Sequence, residues 1–264
     1  MGQDQTETRN VKGSWDELWR SRKRRYVYRN VVKCAESFLG GVAGRSILEV
    51  GCGRGATLLE FARRGANVLG LDYSEEALAV SKREENDGIA GRVDFVKANA
   101  KKMPFPAESF DFVFSVGLIE HFEDPNAILA EQSRVLRNGG YLLVQVPQKY
   151  SVYTAVKQVM MHLGKWPYGG WETEFSDREI SQLVREAGVE PRYVYGYGSF
   201  FLAAARHAFF PTLDFGMFWR NGTELDAIRG MKAKTALDIC VVAQKGPGVV
   251  EAPRNSERGT EVRR

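Results

Sequence analysis

The chain has 264 residues, 44% of them hydrophobic and 27% charged, a size and balance that suit one globular α/β domain with frayed ends better than two domains. Its 37 basic and 33 acidic residues leave a formal net charge of +4, a mixed surface that does not by itself argue for nucleic acid. Three cysteines, Cys34, Cys52 and Cys240, form no Cys-x-x-Cys pair, which argues against a disulfide framework or a zinc site and for a reducing, cytoplasmic setting.

The amino terminus "MGQDQTETRNVKGSWDE" is polar and lacks an apolar signal core, and no run of about 18 uncharged apolar residues occurs anywhere. "MGQDQT" fits the loose myristoylation pattern, a short match common by chance. Residues 1–13 and the tail from Gly246 to 264 are poor in large apolar residues and are expected to be disordered, which leaves 14–245 as the folded domain. The basic stretch "WRSRKRRYVYRN" interleaves charge with aromatics as RNA-binding segments do. A solvated helix face with Trp15, Leu18 and Trp19 turned inward is the favoured reading.

Short apolar runs then alternate with helical patterns, the mark of a sheet covered by helices on both faces. Expected strands are "SILEV" (46–50), "NVLGLD" (67–72), "VDFVKA" (93–98), "FDFVFSV" (110–116), "GYLLVQV" (140–146), "RYVYGYG" (192–198) and "LDICVVAQ" (237–244). Between them, Ser74 before Glu75 and Glu76 offers a helix cap with a negative first turn, and Asp124 before Pro125 places a cap ahead of a first-turn proline. In "FSDREISQLVREAG", Ser176 and Glu179 have capping-box spacing, Ile180, Leu183, Val184 and Ala187 form one stripe, and Gly188 is a natural stop. Residues 148–175 and 199–235 exceed ordinary connections and are expected to carry helices or function of their own.

The chemistry begins at "LEVGCGRGATLLE". Gly51, Gly53 and Gly55 lie where a strand must turn sharply into a helix, with no side chain to obstruct a bound molecule. Asp72 ends the next strand 21 residues after Gly51, where a carboxylate can accept both ribose hydroxyls of an adenosine. A nicotinamide dinucleotide and another adenosine cofactor are served equally by these features, since Ala56 is tolerated at the third dinucleotide position. Glu49, two places before the first glycine on an apolar strand, tips the balance. It would repel a pyrophosphate and suits a cofactor with a cationic group.

"LEVGCGRG" resembles motif I of the class I S-adenosylmethionine-dependent methyltransferases, and the likeness runs on through "VLGLDYSEEALAVSK", "VDFVKANAKKMPFPAESFDFVFSVGLIEHFEDP" and "AEQSRVLRNGGYLLVQVP". It covers residues 47–147 nearly without gaps, resumes weakly at "TEFSDREISQLVREAGVE", and is nearest to the small-molecule branch that includes quinone-biosynthesis methyltransferases. The resemblance implies a Rossmann-like α/β fold: seven strands, mostly parallel with an antiparallel last strand, helices on both faces, and cap insertions at 148–175 and 199–235. It implies S-adenosyl-L-methionine as cofactor. The Gly51–Gly55 loop would lie against its methionine part, Glu49 would orient the loop and the amino group, Asp72 would bind the ribose, and Tyr73 would pack on the adenine. Asn99 stands where the family often has an acid, and its amide oxygen can still accept from the adenine amino group. Ala100 would offer its backbone to the ring, while Ser115 and Val116 with Gly117 would line the methionine end. Trp15 or Trp19 would cover the cofactor.

Methyl transfer from a sulfonium needs alignment more than it needs a base. His121 in "GLIEHFED", just beyond a central strand, is the candidate base, with Glu120 beside it as a second candidate. His162 and His207 sit in the insertions and read as structural. "SVGLIE" lacks the amide and proline pair of amino-group methyltransferases acting on DNA adenine or protein glutamine, so those substrates are disfavoured. "FFLAAARHAFFPTLDFGMFW" holds seven aromatics and "YTAVKQVMMHLGKW" adjacent methionines, which favours a small apolar or amphipathic acceptor, most readily at oxygen, with nitrogen or carbon open. Arg206, Pro211 and Asp214 interrupt the first stretch too often for a membrane span and leave contact with a membrane surface open. The competing readings are an RNA methyltransferase, a non-catalytic cofactor-binding scaffold and, more distantly, a nicotinamide dehydrogenase.

Overall fold

A computed structural model describes residues 26–83, 89–164, 172–199 and 236–246. In chain order these form α1 (Arg29–Leu39), β1 (Ser46–Val50), α2 (Ala56–Arg63), β2 (Asn67–Asp72), α3 (Glu75–Arg83), β3 (Val93–Lys97) and β4 (Phe110–Val116). After a 3-10 turn at Ile119–His121 come α4 (Asn126–Val135), β5 (Leu136–Pro147), α5 (Val152–His162), α6 (Asp177–Glu186), β6 (Val189–Ser199) and β7 (Ala236–Lys245). The seven strands make one sheet in the order β3-β2-β1-β4-β5-β7-β6. Every pairing among β1 to β5 is parallel, and β7 alone runs the other way, antiparallel to both β5 and β6. This is the expected Rossmann-like arrangement.

Strands β1, β2 and β4 span the residues anticipated from their apolar runs. β5 starts four residues earlier than expected because Leu136 already pairs with Phe110, and the register shift before the next pair, Phe112 with Tyr141, absorbs Gly139 at φ +78. β6 also starts early, at Val189. It is the edge strand, and Pro191 at its register shift is tolerated there because an edge strand can spare a donor.

The helix starts follow their caps. Ser74 Oγ accepts from Ala77 N at 3.2 Å, and Ser176 and Glu179 form the anticipated capping box. Asp124 and Pro125 correct the expectation by one residue. The helix begins at Asn126 with Pro125 at the cap position, and Asp124 Oδ1 accepts the Asn126 N–H at 3.0 Å. The 148–175 insertion carries α5, capped by Ser151, whose side chain accepts from Thr154 N. The 199–235 insertion beyond Ser199, residues 1–13, the tail beyond Gly246 and the Trp15–Trp19 stretch lie outside the described residues.

Side chains alternating across the strands divide the core in two. Ile47, Phe112, Phe114, Tyr141, Leu143 and Val242 meet α1, α2 and α3 on one face. Leu48, Val113, Leu142, Val144, Ile239 and Val241 meet α4 and α6 on the other. The carboxyl ends of β1, β2, β4 and β5 and the start of β7 therefore share one edge, where open α/β sheets bind ligands.

Gly70, in the middle of β2, lets this packing close. A Cβ there would lie 2.7 Å from Cys52 Sγ, 2.7 Å from Phe95 Cδ1 and 2.8 Å from Leu58 Cδ1. Gly70→Ala is expected to destabilise the fold by about 1–3 kcal/mol through overpacking. Urea denaturation checks this: the midpoint should fall at an unchanged m-value.

Candidate active site

The turn after β1 is held by backbone and one carboxylate. Gly51, Gly53 and Gly55 take φ of +74, +50 and +63, a left-handed series that side chains disfavour. The N–H groups of Gly51 and Cys52 both donate to Leu71 O, at 2.8 and 3.0 Å, which lays the loop across the end of β2. Asp72 then joins two connections: Oδ2 accepts from Gly53 N at 2.7 Å and Oδ1 from Ser74 N at 2.8 Å. From the neighbouring loop, Leu118 leans over the turn, its Cδ1 2.8 Å from where a Cβ on Gly51 would stand.

Glu49 lies beneath this loop, 5% exposed. Its Oε2 has no hydrogen-bond partner among the described residues. Burial first, and the nearby Asp72 second, push its carboxyl well above the usual carboxylate range. A buried acceptor without a donor costs free energy, and such a group calls for a ligand. A cationic amino group is the ligand that would satisfy this one.

The other anticipated cofactor residues ring the same edge. Tyr73 is 46% exposed beside Asp72, while Ala100 is buried in the core. Asn99 is exposed, and its Oδ1 accepts from Lys101 N at 2.9 Å, so only a second lone pair is left for an adenine. Ser115 is buried with its Oγ unpartnered among the described residues, and Val116 is half-buried.

Glu120 and His121 are both buried in the 3-10 turn after β4. Glu120 O accepts from Thr173 N at 2.9 Å, its Oε2 is unpartnered among the described residues, and burial pushes its carboxyl well above the usual range. Asp238 and Glu172 push it in the same direction, and Lys157 opposes them. Lys157 Nζ is shared by Glu172 at 2.6 Å and Glu174 at 3.0 Å, which ties α5 to the residues before α6. His162 ends α5 and is exposed, as is Met161; His207 and the aromatic run 200–219 lie outside the described residues.

The sequence reading missed a second polar group at this edge. Gln145 near the end of β5 donates from Nε2 to Asp238 Oδ2 at 2.8 Å and accepts from Asn30 Nδ2 at 3.0 Å. Tyr26 and Tyr197 share a hydroxyl contact of 2.7 Å. A glutamine inside "GYLLVQV" and an acid at the head of "LDICVVAQ" are polar interruptions of the same kind as Glu49. The described end of the basic stretch, Tyr26 to Asn30, turns these groups toward the sheet. Among the described residues, no three His, Cys, Asp or Glu side chains are grouped to hold a metal ion.

The strand order with its reversed seventh strand, the left-handed glycine loop and the acid at the end of β2 define an α/β fold of the kind that can hold an adenosine cofactor. Residues 48–144 match the family described as a methyltransferase domain. By that match and by its fold the chain is similar to the class I S-adenosylmethionine-dependent methyltransferases. It is similar to a ubiquinone biosynthesis O-methyltransferase of Ruegeria sp. (strain TM1040), 31% identical over 157 residues, with 56% of this chain and 62% of the relative covered. The match thus spans about three-fifths of that relative's length. Among solved structures, the methyltransferase in a complex with the Haloferax volcanii Trm112 activator matches with a TM-score of 0.59 at 17% identity, covering 88% of this chain and 97% of that one. A phosphoethanolamine N-methyltransferase of Haemonchus contortus, in complex with phosphomonomethylethanolamine and S-adenosylhomocysteine, matches at 0.56 and 19%, covering 83% and 53%. At these identities the likeness is one of fold. No described helix is long and apolar enough to cross a membrane.

Asp238 gives the site a pH signature. Burial raises its carboxyl from 3.8 to about 6, against the Gln145 hydrogen bond, and Glu172 adds to the rise. Folding therefore favours its protonated form: the stabilisation is complete below about pH 4 and is lost as pH rises through about 6. Asp238→Asn should remove this loss. Melting temperatures of variant and native protein across that window check it, and the difference should move toward the variant as pH rises.

Proposed function

We propose that this chain transfers the methyl group of S-adenosyl-L-methionine to a small molecule with an apolar body, most readily at oxygen, by in-line displacement. The observation that carries the reading is the buried, unpartnered carboxyl of Glu49 under a left-handed glycine loop. Preference for oxygen draws support from the O-methyltransferase relatives, and the acid-rich edge weighs against a polyanion such as RNA.

The cofactor supplies a methyl carbon already activated by a sulfonium leaving group. The Gly51–Gly55 loop offers backbone against the methionine part, and Glu49 takes its ammonium group. Asp72 accepts the ribose hydroxyls through lone pairs left over from Gly53 and Ser74, while Tyr73 covers the adenine. Asn99 and the Ala100 backbone meet the adenine edge, and Ser115 and Val116 close the methionine end. On the acceptor side, His121 is the residue we assign to take the acceptor's proton. Glu120, buried beside it with an unpartnered carboxyl oxygen among the described residues, orients the acceptor. Leu118 excludes water beside the loop. Alignment of this kind can supply about 7–11 kcal/mol of the barrier reduction.

A calorimetric titration with S-adenosylhomocysteine tests the reading. The native chain should bind it, and Asp72→Ala should lose about 1.5–3 kcal/mol, roughly tenfold to 150-fold in affinity. Asp72→Asn, which still offers an acceptor to Gly53 N–H, should lose less. Absence of binding to the native protein would sink the reading.

A further inference from the structure

Because β7 is antiparallel, its first residues reach the edge at which β4 and β5 end. Asp238 stands opposite Pro147 on β5 and opposite Tyr197 on β6. Around it lie Gln145 and the Tyr26–Tyr197 hydroxyl pair, and the Asp238 charge acts on Tyr26. Tyr28 meets Tyr26 edge-on with ring centroids 4.8 Å apart, and its N–H donates at 3.1 Å to Thr57 Oγ1 in the first turn of α2, two residues past Gly55. This polar cluster therefore abuts the glycine loop.

Its charges do not balance. Glu172 and Asp238 act on Glu120, and Glu172 acts on Asp238. Of the cations nearby, Lys157 is already shared by Glu172 and Glu174, and the exposed Arg29 acts on Tyr26 against Asp238, which leaves the acids in excess. Neither Glu120 nor Asp238 has an ion-pair partner among the described residues. Glu120, 2% exposed, also carries an oxygen without a hydrogen-bond donor, and Gly117 leaves room beside its carboxyl, where a Cβ would come within 3.6 Å of Oε1. An anion is repelled by such a cluster, and a neutral hydroxyl would satisfy the acceptor but not the charge. Among the described residues no carboxyls converge as a metal ligand set, which favours an organic cation. Tyrosine rings beside a carboxylate suit an ammonium group, which gains from both the charge and the ring faces.

Resting on the methyltransferase reading above, we propose that Glu120, Asp238 and the Tyr26–Tyr197 pair form the acceptor subsite and that it holds a protonated amine carried by the acceptor. The amine is a handle that presents a neighbouring atom to the methyl group, and it explains why acids and tyrosines, not apolar side chains alone, surround the acceptor side.

The test uses three probes of matched shape, 2-phenylethylammonium, 2-phenylethanol and 3-phenylpropionate, titrated at neutral pH into the full chain saturated with S-adenosylhomocysteine. The ammonium compound should bind at least about tenfold more tightly than the alcohol, with the carboxylate weakest. Asp238→Asn and Glu120→Gln should each lower the ammonium affinity several-fold and leave the alcohol within about twofold, their S-adenosylhomocysteine affinity serving as the check on folding. An alcohol or carboxylate that binds as well as the ammonium, an ammonium that does not bind at all, or a preference that survives in the double variant would overturn the proposal. The probe ranking on native protein needs no variant. Binding of S-adenosylhomocysteine without the ranking defeats the amine subsite alone, whereas its failure to bind defeats the methyltransferase reading.

Discussion

The Asp72 carboxylate is the tie on which the functional edge depends. It accepts one backbone N–H from the loop after β1 and another from the start of α3, so two connections that only meet in three dimensions are fixed by a single side chain. Charge-assisted bonds to backbone N–H groups are among the stronger hydrogen bonds, and here one of them holds Gly53, the middle of three alternating left-handed glycines. With the loop fixed, Leu118 can lean over Gly51 and Tyr28 can anchor to Thr57, and both sides of the edge take their positions from the same turn.

That arrangement is maintained against an electrostatic cost. Glu49, Glu120 and Asp238 are all held above the usual carboxylate range chiefly by burial, and none has an ion-pair partner among the described residues. A fold selected for stability alone would fill such positions with apolar side chains, as β1, β4 and β5 do elsewhere along their lengths. The buried Lys157 shows the contrast. It lies between two glutamates and serves structure, joining α5 to the segment that leads into α6. Acids without an ion-pair partner among the described residues mark this edge as a candidate site, whereas the paired lysine ties the scaffold.

Much of this was legible in the sequence. The apolar runs of β1, β2 and β4 gave their boundaries, because central parallel strands are buried on both faces and leave little freedom at the ends. Glu49 was legible for the same reason, as a charge in an apolar strand. Gln145 carried a similar signal and was passed over. Asp238 could not be weighed in one dimension, since its value depends on β7 running backward between β5 and β6 and so delivering its first residues, not its last, to the functional edge. Tyr26 and Asn30 were hidden by composition: in a stretch dense with arginine and lysine they read as part of a solvated face, yet their partners lie 171 and 115 residues away.

The raised carboxyls also bear on how the two halves of the edge communicate. Burial holds both carboxyls above the usual range, so a cation bound beside Glu49 or Glu120 would favour the ionised form of either. Asp72 is one cause of the Glu49 rise, and Asp238 is one cause of the Glu120 rise. Neutralising either neighbour therefore eases ionisation of the buried acid beside it.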